Sequence, residues 1–314
     1  MDREKIIRTG ARETMLATLY GRALDSHSSN PVLNDSAAAD AVERIDYDFG
    51  KTRMSGTSAV SVAIRAKVLD TWTISFLVEN PSATVLHLAC GLDTRVQCLN
   101  PPASVRWFDV DLPDVMELRS RLLPRPSGDY HDISASVTDS EWLSSVPDDR
   151  PTVVVFEGLS MYLTERDGQS LVRRITSRFP SGQLLFDVYG RLGIKLQKLV
   201  PAVRNAGATL HRGVDDPHEI ETLHPGLECL DDLRSVDMPE LDKLPQSGRI
   251  SLTVASRIPK LRDMGRIMRF RFWLQPGLPA HSCGASPLPS TVSGNLPRSQ
   301  FQGSASVGSQ NAWH

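Results

Sequence analysis

Cysteine is scarce here and has no metal-binding or redox spacing. Cys90, Cys98, Cys229 and Cys283 are the four in 314 residues, and none forms a Cys-x-x-Cys pair. A zinc site or a disulfide framework is therefore not expected. His211, His218 and His224 are loosely spaced with no carboxylate pattern around them, so no metal is expected there either. Long apolar runs are missing too. Nothing approaches the ~20 residues of a membrane span. An excess of charge is also lacking: the net charge is -2. No global field then favours nucleic acid or an anionic membrane. Met1-Asp2-Arg3-Glu4-Lys5 leads into no signal-peptide core, so a cytoplasmic location is expected. Internal repeats are absent.

What is present is an alternation of strands and helices. Val85-Leu86-His87-Leu88 is a short apolar run that ends in the small-residue turn Ala89-Cys90-Gly91. Further strands are expected near 105–110, 152–157 and 184–189, with helices near 112–123, 139–145 and 164–178. Thr164 is placed to cap the last helix, with Asp167 at its third position. Helical spacing also covers 11–25 and 58–79, and Asn80-Pro81-Ser82 ends the second of these. Residues 26–57 read as an irregular lid or loop with short helices. Gly226 to Val236 reads as another strand, and Arg249 to Met264 as a helix interrupted at Pro259. Ile267 to Gln275 alternates apolar and basic residues, as a half-exposed antiparallel strand would. The whole is an α/β pattern: a mainly parallel sheet with helices on both faces. From Pro276 onward the composition shifts to Pro, Gly, Ser and Gln, and 276–314 is expected to be a disordered tail.

Four segments carry the chemistry. In open α/β sheets, ligands lie outside the carboxyl ends of the strands. The turn at Gly91 lets a backbone approach a ligand closely. About twenty residues on, Arg106-Trp107-Phe108-Asp109-Val110-Asp111 ends in acid, placed to accept ribose hydroxyls. Asp111 is favoured over Asp109, and a helix-capping role for Asp111 is the plain alternative. In Tyr130-His131-Asp132-Ile133 the acid could take an exocyclic amine and Ile133 could cover a purine face. Glu157, in Phe156-Glu157-Gly158-Leu159-Ser160-Met161-Tyr162-Leu163, falls at a strand end on the same edge. Asp93 and Arg95 read as a salt bridge shaping the turn, His87 as a packed core histidine, and Cys90 as a small turn residue. The Gly-x-Gly-x-x-Gly of a nicotinamide dehydrogenase is missing.

In their order and spacing, Ala-Cys-Gly-Leu-Asp-Thr-Arg, Phe-Asp-Val-Asp-Leu-Pro and Glu-Gly-Leu-Ser-Met-Tyr-Leu resemble the leucine carboxyl methyltransferase family over roughly residues 10 to 275. The resemblance implies a class I, Rossmann-like fold. Its sheet has seven mostly parallel strands with the last antiparallel, helices on both faces and an N-terminal helical lid (about 1–57). It also implies S-adenosyl-L-methionine as cofactor and O-methylation of a small-molecule acceptor, nearest the branch acting in polyketide synthesis. A protein C-terminal carboxyl methyltransferase and a non-catalytic methyltransferase-like subunit are the alternatives. By the same resemblance, Arg65 would clamp the cofactor's carboxylate and Ala89 to Gly91 would pass under its methionine portion. Asp111 would bind its ribose, Asp132 and Ile133 its adenine, and Glu157 would lie near its amino group. Ala89 stands where the family commonly has glycine, and the turn keeps its shape without strain only if Ala89 keeps a negative φ. No catalytic base stands out. A carboxylate acceptor, already a nucleophile, needs none. Arg191, Arg204 and Arg212 are candidates to orient an acidic acceptor. Oligomeric state is not legible.

Overall fold

The computed structural model describes residues 4–5, 10–197 and 209–274. The expected tail at 276–314, with Cys283, and Arg204 lie outside them. Seven strands form one sheet: β1 (Thr84–Leu88), β2 (Arg106–Asp111), β3 (Asp129–Ser134), β4 (Thr152–Phe156), β5 (Ser181–Tyr189), β6 (Leu227–Arg234) and β7 (Gly265–Trp273). Their order is β3-β2-β1-β4-β5-β7-β6. Only β7 runs antiparallel to its neighbours, pairing with β5 and β6. The class I, Rossmann-like architecture is as expected.

Alternation along the strands sorts side chains onto two faces. Val85, Trp107, Val153, Val155 and Leu185 pack under Val68, Leu69 and Phe76 of helix α3 (Gly56–Glu79). Leu86, Phe108, Val154, Leu184 and Phe186 pack on the other face against Leu171, Val172 and Ile175. Strands buried on both faces explain why β1, β4 and β5 read as continuous apolar runs. β3 was not among the strands expected from apolar runs. It is an edge strand of mostly polar residues (Asp-Tyr-His-Asp-Ile-Ser) with exposed positions, so it carries no such signal.

β7 is interior rather than a free edge. Its basic residues meet acids on β6: Arg266 pairs with Asp232, Arg269 with Asp231 and Arg271 with Glu228. The helix expected at 139–145 is a 3₁₀ segment, Glu141–Ser145. Thr164 caps the helix Glu165–Arg178 by accepting from Asp167 N, as its position implied. Pro259 begins a short helix, Pro259–Arg262, after the helix Gln246–Ser256.

Two N-terminal helices, α1 (Gly10–Ser26) and α2 (Ser36–Glu43), carry Leu16, Leu19, Ala38 and Ala41. These pack against Leu92 and against Leu118 and Leu122 of the helix Pro113–Leu122, at the carboxyl edge of the sheet. No helix among the described residues is long and apolar enough to cross a membrane.

Candidate active site

The carboxyl ends of β1, β2, β4 and β5, covered by α1 and α3, enclose a cavity of about 520 Å³. That size suits a small ligand. A groove at the opposite edge of the sheet, near Asn80, Pro151 and Ser181, lies at the amino ends of the strands, where such sheets do not bind ligands.

Arg65, Ala89, Gly91, Asp111 and Glu157 all line the cavity, as do His87, Asp93, Tyr162 and Tyr189. Asp132 and Ile133 do not. Asp132 lies opposite Asp109 within the β2–β3 pairing, two residues short of the strand's end. Its carboxylate is exposed and pairs with Arg125 Nη1 at 2.7 Å. Ala135, Ser136, Val137 and Thr138 border the cavity in their place. The two candidate arginines within the described residues are spent elsewhere: Arg191 pairs with Asp215 and Glu219, and Arg212 with Glu165.

The turn after β1 is strained. Gly91 has φ +49° and Ala89 φ +50°, so Ala89 does not keep the negative φ that an unstrained turn requires. The left-handed conformation costs an L-residue about 1–2 kcal/mol. At Gly91 a Cβ would also come to 3.1 Å from Met15 Cγ, a tight contact that Met15 would have to yield to by a few tenths of an ångström. Ala89→Gly relieves the strain against a smaller loss of unfolded-state restriction. The expected result is a gain of about 0.5–1 kcal/mol in urea denaturation. A loss of stability would contradict the conformation described.

Asp111 ties this turn to β2. Its Oδ2 accepts Gly91 N at 2.7 Å and its Oδ1 accepts Leu112 N at 2.7 Å. Burial pushes its pKa up, against those two backbone donors. A carboxylate has about four lone-pair sites, so acceptor capacity remains toward the cavity. Asp109 is excluded from such a role. It is fully buried and holds His87 Nδ1 (3.0 Å), Trp107 Nε1 (2.8 Å), Arg119 Nη2 (2.6 Å) and the Tyr130 hydroxyl (2.7 Å). Burial opposes its charge, but Arg119 and these donors hold its carboxyl far below the usual range.

A chain of buried ion pairs runs beneath the cavity. Arg95, fully buried, reaches Asp70, Asp93 (2.9 Å) and Glu157 (2.7 Å). The expected Asp93–Arg95 bridge is one link of a larger network. Arg22 of α1 joins it through Asp93 at 2.6 Å and Asp35 at 2.8 Å, fastening the N-terminal helices to the turn. Burial raises the Glu157 pKa, but Arg65 and Arg95 outweigh it and hold the carboxyl low. Arg65 meets Glu157 at 2.8 Å and Asp187 at 2.9 Å. It keeps the most exposed side chain of that trio, 22% against 5% and 7%. Its contacts engage Nε, Nη1 and Nη2 once each. A guanidinium carries five N–H groups, so two remain beyond these contacts, and such donors suit a carboxylate.

Asp187 was not singled out in the sequence. It ends the apolar run Leu184-Leu185-Phe186, and its place at the strand's carboxyl end was the available signal. Burial raises its pKa against Arg65, and Gly158 N donates to it at 2.6 Å. His87 is packed as expected, but it is also part of the network. Burial disfavours its charge, while Asp109 and Asp93 outweigh burial and raise its pKa. It is not a free base. Cys90 is buried, and burial drives its thiol pKa well up, which removes it as a nucleophile.

Residues 15–176 match the family model described as leucine carboxyl methyltransferase. The chain is 43% identical over 270 residues to the tetracenomycin polyketide synthesis O-methyltransferase TcmP of Streptomyces glaucescens, covering 86% of this chain and 99% of that one. It is 40% identical over 248 residues to the S-adenosyl-L-methionine-dependent methyltransferase dpfgK of Gibberella zeae, covering 73% of this chain and 83% of that one. Among solved structures, a Thermobifida fusca protein superposes with a TM-score of 0.53 at 16% identity, covering 81% of this chain and 94% of that one. A DUF574 family protein from Streptomyces avermitilis gives 0.51 at 15%, covering 81% and 97%. These two bear on the fold alone.

Proposed function

The chain belongs to the leucine carboxyl methyltransferase family, and on that premise we propose that it methylates the carboxylate of an aromatic, polyketide-like small molecule, giving a methyl ester. It is an S-adenosyl-L-methionine-dependent methyltransferase. The observation that carries the acceptor class is the full-length similarity to the tetracenomycin enzyme. The cavity agrees with it: beyond the charged floor its wall is apolar and aromatic, with Met54, Val62, Met161, Tyr162, Leu163 and Tyr189.

The residues present fit the cofactor. We assign its carboxylate to the remaining N–H groups of Arg65, its ribose hydroxyls to Asp111, and its methionine portion to the Ala89–Gly91 turn. Its amino group falls to Glu157, and its adenine to the wall at Ala135–Thr138 rather than to Asp132 and Ile133. When bound, the cofactor supplies an electrophilic methyl group on a sulfonium. The chain's part is alignment and exclusion of water. Glu157 and Asp93 are locked by arginines and His87 by carboxylates, so none of them is offered as a general base. A carboxylate acceptor is ionised near neutral pH without help, whereas a phenol gains from a base.

The test is to incubate the enzyme with labelled S-adenosylmethionine and anthraquinone-2-carboxylic acid, then treat the product with mild alkali. Release of labelled methanol is expected, because an ester hydrolyses. Alkali-stable label in the organic product marks an ether and contradicts carboxylate methylation.

A further inference from the structure

Tyr189 closes β5 at the carboxyl edge, two residues after Asp187 and on the same face of the sheet. Its backbone is held from two sides. Val214 N donates to its carbonyl at 2.9 Å, and its Cα lies opposite Gly265 in the β5–β7 ladder. Its side chain packs against the buried pair Met161 and Leu210, as do Tyr162 and Ile194. Glycines flank it closely: a Cβ on Gly193 would come within 3.4 Å of Tyr189 Cβ and Cδ1. The ring is therefore fixed, and it borders the cavity.

The hydroxyl at its tip makes no hydrogen bond to any described residue. The neighbouring charges on that wall are all engaged: Arg65 with Glu157 and Asp187, Asp187 with Gly158 N, and Glu157 with Arg95. Burial raises the pKa of the phenol, with Arg65 pulling the other way and Asp187 adding to the rise. At neutral pH it is a neutral donor, not a base. An unpartnered donor on the cavity wall, close to the Arg65 cation, matches one acid oxygen of a bound anion.

We infer that Tyr189 is an acceptor-binding residue. Its hydroxyl donates a hydrogen bond to the carboxylate oxygen that does not take the methyl group, leaving the other oxygen free to attack. The attacking oxygen forms the new carbon–oxygen bond as the carbon–sulfur bond breaks. That bond's electron pair stays on sulfur, and the carboxylate charge is lost in the ester. No proton is taken up or released, so the phenol needs only to hold and aim. The inference rests on the carboxylate reading above.

Tyr189→Phe keeps the packed ring and removes only the donor. The probes are anthraquinone-2-carboxylate and its carboxamide, titrated calorimetrically into enzyme saturated with S-adenosylhomocysteine. A hydrogen bond to a charged group predicts about a ten- to hundredfold loss of carboxylate affinity in the variant. The carboxamide should lose less, and S-adenosylhomocysteine affinity should be unchanged. Unchanged carboxylate affinity in Tyr189→Phe overturns the inference. So does an equal loss of S-adenosylhomocysteine affinity, which would move the hydroxyl to the cofactor. Failure of the wild-type protein to bind the carboxylate while binding S-adenosylhomocysteine would instead overturn the acceptor reading beneath it.

Discussion

Arg95→Met is expected to destabilise the protein by about 3–5 kcal/mol, the range for removing one partner of a buried ion pair. Arg95 is fully buried and faces three carboxylates, Asp70, Asp93 and Glu157. None of the three could rehydrate fully, since their side chains are 7%, 12% and 5% exposed. In thermal denaturation the loss should appear as a fall of about 5–10 °C in Tm. Arg191→Met is the control: that side chain is 53% exposed against Asp215 and Glu219, where a pair contributes about 1 kcal/mol or less.

The pH dependence adds a second signature. In the wild type, arginines outweigh burial and hold the Asp93 and Glu157 pKa values low. A lowered folded pKa contributes stability above the unfolded value of about 4 and loses it as pH falls through the folded value. Without Arg95 both pKa values rise, and that contribution shrinks. The gap between wild type and variant should therefore be widest near neutrality and narrow below about pH 4. A variant that melts within about 2 °C of wild type at pH 7 would contradict the network described.

Asp111→Ala is expected to weaken S-adenosylhomocysteine binding by about 100- to 10,000-fold. Two hydrogen bonds from ribose hydroxyls to a carboxylate are worth about 1.5–3 kcal/mol each, and about 1.4 kcal/mol is tenfold in affinity. The substitution also frees Gly91 N, which donates to Asp111 at 2.7 Å, so the turn loses a tether along with the ligand. Asp111→Asn separates the two effects: its side-chain oxygen can still accept Gly91 N, but the charge is gone. Binding by isothermal titration calorimetry should fall in both variants, less in Asn. An Asp111→Ala protein that binds within threefold of wild type would remove Asp111 from the cofactor site.

The parts of the site that could be read from sequence are those that end an apolar strand. Gly91, Asp111 and Glu157 each follow a buried run, and the carboxyl edge is where an α/β sheet presents its ligands. Arg65 was legible only by resemblance, because a lone arginine in a helix carries no signal of its own. Asp132 and Ile133 do not reach the cavity because β3 continues to Ser134, two residues past Asp132 and one past Ile133, before the chain turns at Ala135. That strand, polar and at the edge, has no periodicity from which its end could be counted. Asp187 and Tyr189 lay in a run read correctly as a strand, but their facing depends on register with β4 and β7. The links from Arg22 to Asp35 and Asp93 span 13 and 71 positions, and contacts that distant are not visible in local pattern. The positive φ at Ala89 is a property of the folded turn. The residue type argued against it, and the fold overrode that preference.

The most direct test of the account is the crystal structure of the complex with S-adenosylhomocysteine. One ligand is expected in the cavity at the carboxyl edge, with its carboxylate on Arg65, its ribose on Asp111 and its adenine against Ala135–Thr138. Its sulfur should face the apolar chamber bordered by Tyr162 and Tyr189. A ligand bound with its ribose away from Asp111, or with its adenine held by Asp132 and Ile133, would contradict it.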